Sequence, residues 1–551
     1  MAAQSSAQPK LLVVGAGPTG LMMAAELARH GAAVRIIDKA PAPSTESKAL
    51  AIQSRTLEVF DDVGIIQRAL ALGLPIQGAS LYAGGQRIAH VSMSELDSPY
   101  PYAIDLPQSQ TERILTAHLE SFGVQIERQV ELLGFTQDER AVSASLRTAD
   151  GQEETYVIPW LLACDGAHST VRHTLGLPFE GMAYAEGFAL ADVRLQWSLP
   201  EDEWHIFLHK DGVLAVFPMR GGRARLLGDV TADAPDGPMP APTLEQMQRL
   251  LAERGPAGAS IDDPVWLAGF RIHRRHSPAF RAGRVFLAGD AVHIHSPAGG
   301  QGMNTGLQDA YNLAWKLGLV VAGQAPESLL DSYQAEREPV AESLLRATDA
   351  ITRLGLMHGP VAPALRNHLY ALLVQQEPIQ QRLAARLAEL NIGYRYSPIV
   401  AEHHGGTLGR LRFAGGPRPG DRALDARPLT LGDGSSVSLF DVFRGTHHTL
   451  LLFAGSEPRP DVWPRLDALA GHLAQRYGER IRAYLVMPPG AGPATPPTAA
   501  APLRDSELNL HHRYGADGEC LYLVRPDKYV GYRARPADQA SLEAYLPRIF
   551  L

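Results

Sequence analysis

Hydrophobic and polar positions near the N-terminus change period in a way that predicts three elements. Residues 10–14 form a short, mostly apolar run, residues 18–30 place apolar side chains at helical spacing, and residues 34–37 are mostly apolar again. This order predicts a β-α-β unit. Further helices and strands are predicted at 53–63, 111–122, 125–127 and 160–163.

The pattern changes again in the middle and C-terminal parts of the chain. Short alternating runs predict an inserted antiparallel sheet with strands at 188–195, 205–208, 213–218 and 223–229. Residues 326–390 are rich in Leu and Ala and predict helices. A Gly/Pro-rich stretch at 405–427 predicts a linker. The remainder predicts a separate α/β domain with strands at 449–453, 482–486 and 520–524.

Composition narrows the classes of function. The 551 residues are 45% hydrophobic and 20% charged, which suits a globular protein of two or three domains. A net charge of −8 gives no basic field to attract nucleic acid or an anionic membrane. Cys164 and Cys520 belong to no metal-binding or C-x-x-C pattern, so we expect no metal site and a reducing compartment. Without a signal-like start or a long apolar run, the chain is expected to be cytoplasmic.

A glycine-rich turn joins the first predicted strand to the first predicted helix. Residues 15–20 read Gly-Ala-Gly-Pro-Thr-Gly, and Asp38 closes the second strand. In such a unit the first glycine allows the tight turn, the second lets a pyrophosphate approach the backbone, and the third packs helix on strand. The acidic residue bonds ribose hydroxyls. The spacing indicates a dinucleotide site, and a tight turn without a ligand is the alternative.

A second glycine-rich loop follows the apolar run at 285–288. Gly289-Asp290 leads through this loop into an amphipathic helix that begins near Met303. Asp290 is placed to bond a polyol hydroxyl, while free N–H groups at Gly302, Met303 and Asn304 attract an electron-rich ring carrying negative charge. These are the features expected of a site for a flavin.

A third motif, Cys164-Asp165-Gly166, ends the strand predicted at 160–163, and by itself it is only a turn signal. Together the three motifs resemble the fingerprints of the class A FAD-dependent aromatic hydroxylases, a family of flavoprotein monooxygenases. The chain is most similar to the polyketide-tailoring and phenol-type hydroxylases, which carry a thioredoxin-like C-terminal domain. The resemblance covers residues 10–551 and is strongest at 284–318.

The resemblance implies an α/β fold with three parts. These are a Rossmann-like FAD-binding domain, an inserted antiparallel-sheet substrate domain and a C-terminal thioredoxin-like α/β domain. The expected boundaries are 1–178 for the first part of the FAD-binding domain, 179–280 for the substrate-binding sheet, 281–395 for the second part of the FAD-binding domain with a helical segment, 396–429 for a linker and 430–551 for the C-terminal domain.

The implied activity is a monooxygenase reaction. FAD, NADPH or NADH, and O2 would hydroxylate a phenolic or polycyclic polyketide-like substrate through a flavin C4a-hydroperoxide. A Baeyer–Villiger-type oxygenation on the same scaffold and a non-catalytic flavoprotein remain alternatives. The expected partners are a small aromatic substrate and O2, with no nucleic acid and no membrane, and the protein is expected to be a monomer or homodimer.

The resemblance also assigns cofactor-binding residues. Asp38 is expected at the adenosine ribose, Gln108 on the flavin side of the nucleotide, and Asp290 at the ribityl chain or pyrophosphate. Lys48 stands where relatives often have arginine, so a bidentate phosphate contact becomes a point charge. Leu50 stands where the phenol-type enzymes have an aspartate. The full expected set is Gly15, Gly17, Pro18, Thr19, Gly20, Asp38, Lys39, Lys48, Gln108, Asp165, Gly289, Asp290, Pro297, Gly299, Gly300, Gly302, Met303 and Asn304.

The sequence does not identify a catalytic base. His293 and His295 flank the glycine-rich loop that precedes Met303, which we call the flavin loop. Both are candidates for a proton shuttle, with a structural hydrogen bond as the alternative for each. Arg220 is a candidate contact for a substrate carboxylate or phenolate, with a surface ion pair as the alternative. The expected substrate pocket, for which ordinary sheet core is the alternative, is Trp204, Phe207, Phe217, Pro218 and Pro297.

Overall fold

A six-stranded sheet built from distant parts of the chain carries the three sequence motifs. The computed structural model describes residues 9–44, 46–230, 239–296, 299–355, 377–406, 413 and 415–551. The strands lie in the order Arg281–Ala282, Val285–Leu287, Trp160–Ala163, Leu11–Val14, Val34–Asp38 and Ile126–Arg128. All neighbours are parallel except the first pair. Because the carboxyl ends of parallel strands meet at one edge, the motifs after Val14, Ala163 and Leu287 come together there.

Two helices of this part pack closely through small side chains. A Cβ atom on Gly289 would lie 2.6 Å from Thr19 Oγ1, and one on Gly306 would overlap the same oxygen. Glycine at both positions therefore lets the helix Pro18–Arg29 approach the helix Gly302–Val321 and the loop before it. The other helices here are Ser54–Asp62, Ile66–Leu72, Gln108–Glu120 and Thr170–Thr174.

Two three-stranded antiparallel sheets accompany the parallel sheet. One contains Glu153–Ile158, Val142–Arg147 and Glu131–Gln137. The other contains Ala51–Ile52, Ala103–Asp105 and Leu74–Ile76. The second sheet helps to position the site, because Ala51 lies directly after the loop that contains Lys48.

The inserted sheet extends further than the sequence predicts. Its eight strands lie in the order His293–Ile294, Ser260–His276, Glu180–Gln196, Arg223–Val230, Gly212–Met219, Glu203–His209, Gly78–Ala83 and Gln86–Ser92. The last two come from outside 179–280, and Gly78–Ala83 pairs parallel with Glu203–His209. A local pattern cannot reveal this pairing, because the two strands are far apart in sequence. The helix Leu244–Arg254 covers one face of the sheet.

The C-terminal part is a second eight-stranded sheet with helices. Its strands lie in the order Ala401–His404, Val530–Arg535, Cys520–Val524, His448–Phe453, Ile481–Met487, Ala501–Arg504, Leu429–Leu431 and Ser436–Val437. Its helices are Leu439–Phe443, Val462–Tyr477, Asn509–Tyr514 and Gln539–Tyr545. The α/β character predicted for this part of the chain is confirmed.

The stretch predicted as a linker at 396–429 is largely built into this second sheet. Ala401–His404 forms its edge strand, and Ala423 and Ala426 are buried in its core. A Cβ atom on Gly420 would overlap the backbone of Tyr394, so glycine serves close packing there. The glycine at 420 thus reflects a tight turn against the sheet, and the described residues of the stretch expected to be a linker pack with the C-terminal sheet.

The helical segment predicted at 326–390 is present where the structure describes it. It contains the helices Asp331–Gly355 and Glu377–Leu387, preceded by the short 3-10 turn Glu327–Leu330. Residues 356–376 lie outside the described part of the chain.

A buried ionic cluster joins the C-terminal sheet to the helices behind the motifs. Arg525 donates to both oxygens of Glu336, at 2.6 and 2.9 Å, and forms an ion pair with Asp527. Lys316 Nζ lies 2.7 Å from Glu336, and Trp315 Nε1 donates to Asp527 at 3.1 Å. All five side chains, which we call the Arg525 cluster, are buried. The C-terminal part is therefore packed into the rest of the protein.

Among the described residues, no helix combines the length and the apolar character needed to cross a membrane.

Cys164 and Cys520 are both buried and unpaired. Burial raises the pKa of the Cys164 thiol, which makes it a poor nucleophile.

Candidate active site

The glycine-rich turn at residues 15–20, which we call the first glycine turn, packs against the protein on one side and is open on the other. Gly15 has a φ of +99°, and a Cβ atom there would overlap the carbonyl oxygen of Cys164. A Cβ atom on Gly20 would overlap the carbonyl oxygen of Gly15. At Gly17, the N-cap of the helix Pro18–Arg29, a Cβ atom would meet nothing within 4 Å. The turn therefore presents an open backbone surface and a helix N-terminus, which suit a pyrophosphate.

Asp38 holds this turn in place from the neighbouring strand. The N–H groups of Ala16 and Ala40 donate to its two oxygens at 2.7 and 2.8 Å. Arg128 Nη1 lies 3.6 Å from the same carboxylate, whose side chain is 17% exposed. Part of the carboxylate thus stays accessible to a ribose. Lys39, beside it, is exposed.

Asp165 contributes an unpaired acceptor at the end of the central strand. Its Oδ2 accepts a hydrogen bond from the N–H of Val171 at 3.2 Å. Its Oδ1 is buried and has no hydrogen-bond partner among the residues the structure describes. Burial raises the pKa of this carboxyl, against hydrogen bonds that lower it. A buried oxygen in this state calls for a ligand or water as its partner.

Asp290 is accessible shortly after the strand Val285–Leu287. It belongs to the short 3-10 turn Gly289–Ala291 and is exposed. Desolvation nevertheless raises its pKa, while the charges of His293 and Lys48 act in the opposite direction. An accessible carboxylate that is largely surrounded by protein is suited to bond hydroxyl groups of an inserted ligand.

A buried aspartate that the sequence motifs did not indicate holds the turn Gly289–Ala291 in place. Asp309 Oδ2 accepts the N–H of Gly289 at 3.0 Å and lies 2.9 Å from His293 Nε2. Its Oδ1 accepts from Arg337 Nε at 2.7 Å. Burial acts to raise the pKa of Asp309, but Arg337 and His293 outweigh it and hold the pKa low. His293 is thus engaged in a structural hydrogen bond, the alternative given for it above.

His295 lies closer to the glycine loop. Its Nδ1 lies 2.8 Å from the carbonyl oxygen of Ser296, and burial lowers its pKa to about 4. Its Nε2 is buried without a hydrogen-bond partner in the described part of the chain. A Cβ atom on Gly302 would lie 3.3 Å from this nitrogen. The ring is therefore neutral at physiological pH and directs a free nitrogen toward the flavin loop.

Side-chain amides tie the flavin loop to the strand Ala51–Ile52. Asn304 Oδ1 accepts the N–H of Gln53 at 2.9 Å, and its Nδ2 donates to the carbonyls of Ala51 and Gly300 at 2.9 and 2.8 Å. Gln53 Nε2 donates to the carbonyl of Gly299 at 2.9 Å. The Asn304 side chain is fully used within the protein, so only its backbone is available to a flavin.

The helix Gly302–Val321 begins at this loop, as expected from the sequence. Gly302 and Met303 are partly exposed, and the first N–H groups of the helix point out of its N-terminus. Pro297, expected both along the flavin and in the substrate pocket, lies outside the described residues.

Gln108 begins the helix Gln108–Glu120, and Lys48 lies on the loop before the strand Ala51–Ile52. Gln108 Oε1 accepts the N–H of Ala49 at 3.0 Å, and its Nε2 donates to Glu112 at 2.9 Å. This side chain therefore shapes the loop around Lys48. The Lys48 ammonium is exposed, while its carbonyl accepts a hydrogen bond from Arg225 Nη1 at 3.2 Å.

The inserted sheet presents a row of large and charged side chains toward this loop. Five residues on neighbouring strands, which we call the transverse row, lie side by side: Trp266, Asp192, Arg225, Phe217 and Trp204. Arg225 Nε and Nη2 donate to the two oxygens of Asp192, both at 2.8 Å. The rings of Trp204 and Phe217 pack with Ala51 in one cluster. Both aromatic residues therefore pack beside the strand Ala51–Ile52, to which Asn304 ties the flavin loop.

Phe207 and Pro218 lie on the opposite face of the sheet. Phe207 packs in the cluster with Leu250 of the covering helix, and Pro218 pairs with Ala224 of the same cluster. Their place in the expected pocket is wrong because successive strand residues point to opposite faces. Phe217 and Pro218 cannot both face a ligand.

The guanidinium of Arg220, a candidate for contact with the substrate, is instead engaged in hydrogen bonds within the protein. Its Nε donates to the carbonyl of Gly73 at 2.7 Å, and its Nη2 donates to the carbonyl of Leu70 at 3.3 Å. The guanidinium therefore caps the C-terminal end of the helix Ile66–Leu72.

The chain is similar to known proteins over most of its length. The family described as "FAD binding domain" matches residues 9–348. The chain is 34% identical over 552 residues to 6-methylpretetramide 4-monooxygenase of Streptomyces rimosus, covering 98% of this chain and 94% of that protein. It is 33% identical over 534 residues to pentachlorophenol 4-monooxygenase of Sphingobium chlorophenolicum, covering 96% and 94%. The solved ternary complex of aklavinone-11 hydroxylase with FAD and aklavinone matches with a TM-score of 0.76 and 27% identity over 99% of both chains.

Proposed function

The chain belongs to the FAD binding domain family and is a FAD-dependent aromatic monooxygenase that uses NAD(P)H, and on that premise we propose that its substrate is a fused polycyclic phenol. The relatives named above are monooxygenases of 6-methylpretetramide and of pentachlorophenol. The size of this chain's substrate therefore has to be argued from its own residues.

The observation that carries the proposal is the length of the transverse row. Its members lie on five neighbouring strands, which at about 4.8 Å between strands makes the row about 19 Å long. Trp266 lies at one end, Phe217 and Trp204 lie at the other, and the centre holds the ion pair of Arg225 with Asp192. This wall is aromatic at its ends and polar at its centre. It is much longer than one ring and suits a flat fused system with oxygen substituents.

The residues of the three motifs are proposed to hold the cofactor. They fit FAD, because Gly17 leaves open space beside a helix N-terminus and Asp165 offers a buried acceptor without a partner among the described residues. Asp38 would bind the ribose, Asp290 the ribityl hydroxyls, and the N–H groups at Gly302 the electron-rich end of the flavin ring. When bound, FAD takes electrons from NAD(P)H and activates O2 for transfer of one oxygen atom.

The protein's own contribution is to hold the substrate ring and to exclude water. Trp204 and Phe217, which pack with Ala51, are proposed to supply apolar cover beside the flavin loop, and a site closed in this way favours oxygen transfer over release of hydrogen peroxide. His295 Nε2 is proposed as a proton acceptor near the ring, since it is neutral and lacks a hydrogen-bond partner among the described residues.

A panel of phenols of increasing size tests the proposed substrate class. NAD(P)H oxidation by the FAD-loaded protein is measured with one-, two-, three- and four-ring phenols. At about 25 cal/mol per Å2, burying roughly 80 Å2 for each added ring contributes about 2 kcal/mol, or about 30-fold. We expect kcat/KM to rise more than tenfold from one ring to three. Equal stimulation by phenol and by the fused phenols would contradict the polycyclic assignment.

The setting of the reaction is also proposed. Because both cysteines are free and buried, we place the protein in a reducing compartment, the cytoplasm. O2 is its second substrate, and it works as a monomer or a homodimer. Neither nucleic acid nor a membrane is proposed as a partner.

A further inference from the structure

A buried carboxyl group lies next to the aromatic end of the transverse row. Asp105 closes the strand Ala103–Asp105 and is 1% exposed. Its Oδ2 accepts a hydrogen bond from Trp204 Nε1 at 2.9 Å. Its Oδ1 is buried and has no hydrogen-bond partner among the described residues. An unpaired oxygen in apolar surroundings is destabilising, so it calls for an explanation other than stability.

Asp105 is not needed to neutralise a charge. The charge that acts on it is that of Arg225, which already pairs with both oxygens of Asp192 at 2.8 Å. Burial raises the pKa of Asp105 to about 8, against the hydrogen bond from Trp204 and the charge of Arg225. The carboxyl is therefore mostly neutral at pH 7. Its one hydrogen bond in the structure goes to the indole.

Asp105 is also connected to the flavin loop through the neighbouring strand Ala51–Ile52. Ala51 pairs with Asp105 in the neighbouring strand. The carbonyl of Ala51 accepts from Asn304 Nδ2 at 2.9 Å, and a Cβ atom on Gly300 would lie 2.9 Å from the Ala51 side chain. Trp204 packs in the same cluster as Ala51. The indole is thus held by the sheet that also anchors the loop.

We propose that Asp105 is a positioning residue that fixes the indole of Trp204 as the wall facing the substrate, and thereby sets how closely the substrate ring approaches the flavin loop. The inference rests on the proposed function, because the wall matters only when an aromatic ring lies against it. A hydrogen bond to Nε1 selects one orientation of the indole about its broad χ2 torsion. A displacement of the reacting ring by about 1 Å costs about 100-fold in rate.

Two substitutions at Asp105 separate positioning from mere packing. Asp105→Asn keeps an oxygen that accepts from Trp204 Nε1, whereas Asp105→Leu has a similar size and no acceptor. Losing one hydrogen bond of about 1.4 kcal/mol corresponds to about tenfold. We therefore expect Asp105→Leu to raise KM for the phenol about tenfold and to divert most NAD(P)H oxidation to hydrogen peroxide, with kcat for NAD(P)H oxidation changed less. Asp105→Asn should retain both the wild-type KM and the wild-type peroxide fraction.

Substitution of the donor completes the test. Trp204→Phe keeps an aromatic ring but removes Nε1, so it should raise the peroxide fraction as Asp105→Leu does. The double variant should be no worse than either single one, because both remove the same interaction. FAD content and melting temperature are measured in each variant to separate a folding defect. Wild-type KM and peroxide fraction in a folded Asp105→Leu protein would overturn the inference.

A readout without substrate keeps this test independent of the proposed function. The chain has six tryptophans, and the signal of Trp204 among their indole N–H signals in a nitrogen-15 spectrum is identified by its absence in Trp204→Phe. We expect this signal to be protected from exchange in the wild type and in Asp105→Asn, and to exchange rapidly in Asp105→Leu. Equal protection in all three overturns the role of Asp105 even if no phenol is turned over. A wild-type protein that no phenol stimulates contradicts the proposed function instead.

Discussion

Replacing Arg525 with alanine is expected to lower the free energy of unfolding by about 3–5 kcal/mol, the usual cost of removing one partner from a buried ion pair. The substitution leaves the carboxylates of Glu336 and Asp527 buried without their main cationic partner. Lys316 remains near Glu336 but cannot replace the two-oxygen contact. Denaturant unfolding of the FAD-loaded protein measures the change.

An exposed arginine provides the matched control. Arg395 also makes a two-oxygen contact, with Asp421 at 2.6 and 2.9 Å, but its side chain is 55% exposed. Arg395→Ala should lower stability by about 1 kcal/mol or less. A loss of similar size in both variants would contradict the account of the Arg525 cluster as the connection between the C-terminal part and the rest.

Arg525→Ala should also lower the affinity of the protein for FAD. Glu336 is followed in the same helix by Arg337, which holds Asp309, and Asp309 in turn holds the N–H of Gly289. Loosening this helix is therefore expected to weaken FAD binding as well as stability. The C-terminal part then acts as structural support for the flavin loop.

Replacing Gly17 with valine is expected to weaken FAD binding by about 3 kcal/mol or more, about 150-fold, the loss of one or two hydrogen bonds to a charged group. The apoprotein should fold normally, because a Cβ atom there meets nothing within 4 Å and the φ of −77° is open to any residue. The side chain would instead occupy the position proposed for the pyrophosphate. Titration of the apoprotein with FAD, followed by flavin fluorescence, measures the affinity.

Gly134 offers a control for this substitution. A Cβ atom on Gly134 also meets nothing within 4 Å, and the residue, in the strand Glu131–Gln137, belongs to none of the three motifs. Gly134→Val should leave FAD affinity unchanged. If Gly17→Val bound FAD as tightly as Gly134→Val, the first glycine turn would be a turn without a ligand.

The motifs could be located from the sequence because their geometry is local. Gly15 and Gly20 are required by backbone contacts within the turn or with the adjacent strand, and such requirements are visible in residue type and spacing. The parallel arrangement then follows from the β-α-β order. The meeting of the three loops at one sheet edge could thus be predicted from the order of the elements along the chain.

The polar residues of the helix Gly302–Val321 show a feature that a sequence pattern could not predict. Asn304, Gln308, Asn312 and Lys316 recur every four residues, which in an amphipathic helix indicates an exposed face. All four are buried. Their partners, among them Gln53 and Glu336, come from other parts of the chain. The pattern within one helix cannot distinguish polar side chains that face solvent from polar side chains that are buried and hydrogen-bonded to distant residues.

The substrate wall was predicted only in part for a related reason. Aromatic content indicated Trp204, Phe207, Phe217 and Pro218 together, whereas the alternation of strand side chains divides them between two faces. Asp105 and Arg225 were missed, because each acts across a contact between the inserted sheet and a distant part of the chain. Side chains along a strand alternate between its two faces, and this alternation, applied to the sequence, would have excluded Phe207 and Pro218 from the expected substrate pocket.

Labelled oxygen provides the most direct test of the central claim. The FAD-loaded protein is given NAD(P)H, oxygen-18 gas and a three- or four-ring phenol, and the product is analysed by mass spectrometry. The account predicts a substrate-dependent product in which the ring system is intact and one hydroxyl carries one oxygen-18 atom. A lactone would instead support the Baeyer–Villiger alternative, and labelled hydrogen peroxide with unchanged phenol would contradict the account of this site as an aromatic hydroxylase.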